Sequence, residues 1–209
     1  QLVFTINDSK YSIQIVLLQI GMRPINLAVD LTNFVMAELA QPLHAFDWDT
    51  VKNVRIDTMK EAGPFVTLDN VARPMIPGDL MILDGTKPIA IAGVMGGAET
   101  EITPQTFRVF LESANFDPST IRRTSLRLGL RTDAAQRFGR GQPHHNAKVG
   151  VQRFLALLRA AFPKAEVVSC LFDSAPELDS KDRTIRLKSG RVDRLIGRPL
   201  PPGRAEEIL

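Results

Sequence analysis

The residues able to do chemistry fall in three places. The stretch Arg108 to Phe116, RVFLESANF, has a strand-like pattern broken by one acid, Glu112, between Leu111 and Ser113. An ionised carboxylate on a half-buried strand is costly unless something donates to it, so it either faces solvent or is reserved for a partner. Alternation puts Glu112 on the face of Phe110 and Ala114, which favours a partner. Upstream, the apolar run Ile89 to Ile91 leads into Gly93, Gly96 and Gly97. Glycines there admit positive φ and let another molecule approach the main chain; taken alone, a tight turn without a ligand is the simpler account. Downstream, Arg122, Arg123, Arg127, Arg131, Arg137 and Arg140 fall within nineteen positions, with almost no acids among them. Guanidinium groups meet phosphate oxygens in two-pronged fashion. A solvated helix face looks similar, although lysine is commoner where solubility is the only purpose. His44, between Leu43 and Ala45, is by itself more often a hydrogen-bonded core residue than a catalyst.

The elements that must position these groups follow from local signals. Asp117-Pro118 opens a helix, with Asp117 as cap, and Gly129 stops it after Leu128. Leu31, Phe34, Val35 and Leu39 recur at helical spacing, with Asp30 or Thr32 as the expected cap and Asn33 on the polar side. Leu2 to Ile6 and Ile13 to Ile20 are expected to be buried elements joined by a turn at Asn7 to Lys10. Val54 to Thr58, Phe65 to Leu68 and Leu80 to Leu83 are short apolar strands, with Asp69-Asn70 and Pro77-Gly78 as turns. Asn146 to Ala161 is an amphipathic helix, followed by a strand from Glu166 to Leu171. Ser174 to Lys181 is a linker, and Thr184 to Leu187 and Ser189 to Gly197 begin another strand and helix.

The chain of 209 residues, 44% hydrophobic, is enough for one sizeable core and a small second unit. A net charge of +3 permits nucleic acid as a partner without establishing it. The single cysteine, Cys170, excludes an internal disulfide and fits a reducing compartment. Ile13 to Ile20 is too short to span a bilayer and lacks the flanks of a signal peptide. The chain opens inside a strand-like run at Gln1 and closes as a helix starts at Glu206, so a fragment of a longer polypeptide is expected.

Taken together, GVMGG, LESANFDP, IRRT, GLRTDA and RFGRG, preceded by RPINLAVDLTNFVMAELAQPLHAFD, resemble the editing domain of the bacterial-type phenylalanyl-tRNA synthetase β subunit. The resemblance runs from Arg23 to Leu209. It implies a mixed α/β (α+β) fold, a three-layer domain with a β-sandwich-like core flanked by helices. The editing domain would span residues 1–175, with a linker and the start of the next β-subunit module over 176–209. The implied activity is hydrolysis of mischarged tyrosyl-tRNA(Phe) within phenylalanine-tRNA ligase. The implied partners are tRNA(Phe) and the α subunit of an α2β2 heterotetramer. No cofactor is expected in this fragment, ATP and magnesium serving ligation in the α subunit, and the setting is cytoplasmic without a membrane.

The same resemblance maps a pocket onto Asn33, His44, Gly93, Gly96, Glu112, Thr132 and Ala134. Glu112 would accept a hydrogen bond from the tyrosyl phenol, whereas a phenylalanyl group would leave it unpaired at a cost of about 1 to 3 kcal/mol. Ala134 would form the wall against the ring. His44, Thr132 and main-chain donors near Gly93 and Gly96 would hold the attacking water and the developing oxyanion. Arg122, Arg123 and Arg127 are assigned to tRNA. No metal site is expected, because His144 and His145 are adjacent and would not converge on one ion, and Cys170 has no partner at ligand spacing. Gly139, Gln136 and Gln142 to His145 depart from the family pattern around the pocket. A free-standing deacylase and an inactive RNA-binding module are the alternatives.

Overall fold

The structure is a computed structural model that describes residues 2–3, 11–175, 186, 188, 190–201 and 203–208. Two compact units divide the chain, Gln1–Phe172 and Asp173–Leu209. The first is mixed α+β with antiparallel sheets. Its elements run β1 (Leu2–Val3), α1 (Tyr11–Gln19), α2 (Leu27–Leu39), β2 (Leu43–Asp47), β3 (Val54–Thr58), β4 (Gly63–Val66), β5 (Ala72–Met75), β6 (Leu80–Asp84), β7 (Lys87–Ile91), β8 (Met95–Gly96), β9 (Arg108–Ser113), α3 (Pro118–Leu128), α4 (Asp133–Phe138), α5 (Asn146–Ala161) and β10 (Glu166–Val167).

One sheet has the order β10-β1-β9-β2, a second β3-β6-β7-β8, and β4 and β5 form a separate hairpin. Strand β9 divides two cores because its side chains alternate between faces. Phe110, with Phe46 across from it, packs against Met81, Ile82 and Ile91 of the second sheet and against Ile121 and Phe138 of α3 and α4. Val109 and Leu111, with Ala45, pack against Leu31 and Val35 of α2 and Phe154 and Leu158 of α5. The layers are therefore helices, sheet and sheet, closed on the far side by α3 and α4.

Local chemistry explains the helix ends. Asp117 accepts from the Thr120 N–H at 2.7 Å, Pro118 occupies the first turn, and Gly129 ends α3 at φ +69°. Helix α5 covers Asn146–Ala161, the span expected from its apolar spacing. Helix α2 starts earlier than its apolar pattern indicates. Its cap is Asn26, whose side chain accepts from Val29 N–H at 3.1 Å, and neither Asp30 nor Thr32 caps it. Buried Asp30 instead reaches back to the Ile25 N–H at 2.7 Å.

Helix α1 is mostly apolar, and Ile13 and Leu17 are buried, whereas Ile15, Val16 and Leu18, with Ile20 just past its end, are exposed. The strand expected over Glu166–Leu171 is limited to Glu166–Val167. Residues 4–10 and 176–185, with most of the strand expected at 184–187, lie outside the described residues. In the second unit, α6 (Arg191–Ile196) is bracketed by Gly190 and Gly197, both at positive φ, and α7 spans Arg204–Ile208.

Candidate functional site

Strands β2 and β9 pair so that His44 lies directly opposite Glu112. Cross-strand partners on one face hold their Cβ atoms about 5 Å apart, so an imidazole and a carboxylate project side by side. Both line a cavity of about 70 Å³ between the first sheet, the turn after β7, and α4. Gly93, Gly96 and Ala134 share its lining, and Pro42, Leu43, Ile82, Met95 and Phe138 supply apolar wall. Five of the seven pocket residues expected from the sequence thus meet in one place, though they come from four separate parts of the chain.

Burial shifts both titratable groups toward neutrality. Among the described residues no hydrogen bond or ion pair offsets the desolvation of Glu112, and its carboxyl is pushed up to about 7. Desolvation lowers His44 to about 4, so its ring is neutral at physiological pH. The ring is fixed by packing: it meets Phe46 edge-on with centroids 4.4 Å apart, and it lies over Gly96. A Cβ at Gly96 would come within 2.8 Å of His44 Cε1. The β4–β5 hairpin buttresses this floor, with Leu68 N–H donating to the Gly96 carbonyl at 3.0 Å.

Gly93 has two reasons to be glycine. Its φ is +65° in the turn closed by Val94 N–H to Ile91 O, and a Cβ would lie 2.9 Å from Phe116 and 3.0 Å from Phe138. Gly93 therefore sits in a tight turn, and the same turn borders the cavity.

Thr132 and Asn33 are placed differently. The Thr132 hydroxyl donates to the Val94 carbonyl at 2.7 Å and accepts from the Ala135 N–H at 3.1 Å, so it caps α4 and ties it to the turn after β7. That leaves it committed on both sides and outside the cavity lining. Asn33 sits half-buried on α2, away from the lining residues.

The arginines also separate. Arg127 donates to the Pro74 carbonyl at 2.7 Å and pairs with buried Asp79, which makes it an anchor between α3 and the β5–β6 turn. Arg137 pairs with Asp133 within α4. Arg122 donates to the Gly139 carbonyl at 2.7 Å, and Arg123 donates to the Thr120 hydroxyl at 3.3 Å and lies near the Asp117 carboxylate. Among the described residues, no three of His, Cys, Asp and Glu converge as metal ligands, and no helix is long and apolar enough to cross a membrane.

The apolar wall has no direct sign in the sequence. Pro42, Met95 and Phe138 carry no chemical signature, and they meet only where the start of β2, β8 and the end of α4 come together. Chemically, the cavity offers a small recess with apolar side chains in its wall, one unpartnered carboxyl group that can accept a hydrogen bond, and one neutral imidazole that can orient water.

A family model described as the B3/4 domain matches residues 3–163. The chain is 45% identical over 192 residues to the phenylalanine–tRNA ligase beta subunit of Moorella thermoacetica, an alignment covering 90% of this chain and 24% of that protein. It is 40% identical over 211 residues to the same subunit of Porphyromonas gingivalis, covering 98% and 25% respectively. Over 127 residues, 60% of this chain, it is 51% identical to 16% of the Nitratidesulfovibrio vulgaris subunit. The chain spans about a quarter of the length of the first two relatives.

Proposed function

From the premise that this chain belongs to the B3/4-domain family, we propose that its cavity is a proofreading site that hydrolyses tyrosyl-tRNA(Phe) within a phenylalanine–tRNA ligase. The unpartnered carboxyl of Glu112, half-buried beside a neutral imidazole in a cavity with apolar walls, carries this reading.

An apolar synthetic pocket rejects an added hydroxyl weakly, so phenylalanine and tyrosine need a second test. Glu112 supplies it. A tyrosyl phenol donates to the carboxylate, whereas a phenylalanyl ring buries that group further with nothing to bind it, costing about 1 to 3 kcal/mol, or about tenfold to a hundredfold in selectivity.

The ring also needs room. About 70 Å³ is roughly half of a cavity known to take benzene, so side chains must yield. Met95, half-buried and unbranched, is the lining residue best suited to do so.

The ester is already activated, and a positioned water is the main requirement. Water adds to the acyl carbon, the bond to the ribose oxygen breaks, and the water's proton passes to that oxygen, leaving tyrosine and free tRNA. Neutral His44 can accept a hydrogen bond from the water and orient it. Thr132 acts here through position, holding Ala134 and the Val94 turn in register around the acyl group. The chemistry draws on no cofactor in this domain. ATP, magnesium and the ligation step belong to an α subunit in an α2β2 assembly, and the setting is cytoplasmic.

The test is deacylation of tyrosyl-tRNA(Phe) and phenylalanyl-tRNA(Phe) by the intact enzyme and by Glu112→Ala. Selective loss of the tyrosyl ester, abolished by the substitution, is the expected result. Equal hydrolysis of both esters by the unaltered enzyme would refute the role of Glu112.

A further inference from the structure

Helix α4 has a second side. Ala134 and Phe138 face the cavity, while Ala135, Gln136 and Gly139 face a groove of about 290 Å³ between α3 and α4. Arg122, Arg131 and Arg140 line that groove together with Ser125 and Leu126, and no acid does. Their states differ. Arg122 donates to the Gly139 carbonyl at one edge, but the guanidinium groups of Arg131 and Arg140 are exposed and have no partner among the described residues. Leu126 is 66% exposed on the floor, an apolar surface between cations.

We propose that this groove binds the phosphodiester backbone of single-stranded RNA through Arg131 and Arg140, taking the nucleotides next to the 3′ end whose ester occupies the cavity. The inference rests on the proofreading reading for the identity of the strand. Three observations favour RNA over an acidic protein surface. Unpaired guanidinium groups with no competing acid suit phosphate oxygens. Leu126, largely exposed, gives a base or ribose an apolar surface to lie on. The groove and cavity lie on opposite sides of α4, about 10 Å across, so the last phosphates of a strand ending in the cavity can come within reach of this side of the helix. Arg127, by contrast, is occupied by Asp79 and contributes no free charge.

The test uses the intact protein and short single-stranded RNA oligonucleotides of unrelated sequence. Arg131→Ala and Arg140→Ala should each weaken binding to all of them alike, and each should lower the slope of log affinity against log salt by about 0.7. Lysine at either position should keep the slope. Arg159→Ala, which removes an exposed cation of α5, should change nothing. With tyrosyl-tRNA(Phe) the two alanine variants should raise KM, while turnover of 3′-O-tyrosyl-adenosine, which has no phosphate, stays the same.

An unchanged slope, or the same loss in Arg159→Ala, would overturn the proposal. So would loss of association with a protein subunit at constant RNA slope, because the groove would then serve a protein. If the unaltered protein hydrolyses neither ester, the hydrolase reading fails separately, and the salt slope still decides the groove.

Discussion

Replacing Glu112 by glutamine keeps the side chain's shape and removes its ionisation, which isolates the effect of burying that group. Moving the carboxyl from its ordinary value of 4.5 to about 7 corresponds to about 3 kcal/mol. Its sign is fixed by which state holds the proton. Between pH 4.5 and 7 the folded protein keeps a proton that the unfolded chain has released, so stability falls as pH rises through that window and stays lowered above it.

His44 is the other titratable residue of the cavity lining, and it acts oppositely. Its value falls from 6.5 to about 4, so the unfolded chain takes up a proton that the folded state refuses, and stability falls as pH drops through that range. In the parent protein the two slopes largely cancel between pH 4.5 and 6.5, whereas in Glu112→Gln the His44 slope should stand alone. The buried amide has unmet hydrogen bonds whose cost is the same at every pH. The stability difference between variant and parent should therefore shift in the variant's favour by about 3 kcal/mol from pH 4 to pH 8. Urea unfolding at a series of pH values, with m unchanged, measures it. Parallel curves for the two proteins would mean that Glu112 ionises freely, and the unpartnered carboxyl would no longer explain selectivity.

Two further substitutions separate position from charge. Gly96→Ala places a Cβ 2.8 Å from His44 Cε1 and 3.0 Å from Leu68; it should cost about 1 to 3 kcal/mol in unfolding experiments and, by turning the imidazole away, about a hundredfold in tyrosyl ester hydrolysis. Full activity would remove His44 from the mechanism. Arg127→Ala leaves buried Asp79 without its cation and should destabilise the fold by about 3 kcal/mol without changing the salt slope of RNA binding; a slope change like that of Arg131→Ala would return Arg127 to the RNA surface.

What the sequence disclosed is what local chemistry determines. Asp117, Pro118 and Gly129 mark the ends of α3 because capping needs only a few neighbouring residues. Alternation alone placed Glu112 on the face of Phe110, and both face the same side of the sheet. Asp30 misled because a short acid near a helix start can serve the preceding loop as well as the helix. Strand β5 went unnoticed since Arg73 and Pro74 break any apolar pattern, and a hairpin edge tolerates them. The pairing of His44 with Glu112 spans distant parts of the chain and has no local sign; the family motifs placed both in one pocket, and the register supplied the geometry. Composition weighted the clustered arginines equally, and only their partners distinguish Arg127 from Arg131.

The alternation on β9 has a consequence for how the protein can fail. Glu112 and Ser113 are consecutive and point to opposite sides, the first toward the slot and the second toward α5, where its hydroxyl donates to the Ala147 carbonyl at 2.7 Å. A slip of one residue between β2 and β9 would drive an acid into the aliphatic interior beneath α5 and cut that helix's tether in the same stroke. A mispaired chain therefore loses two things together: the error that takes Glu112 out of the cavity lining also unseats the helix behind it.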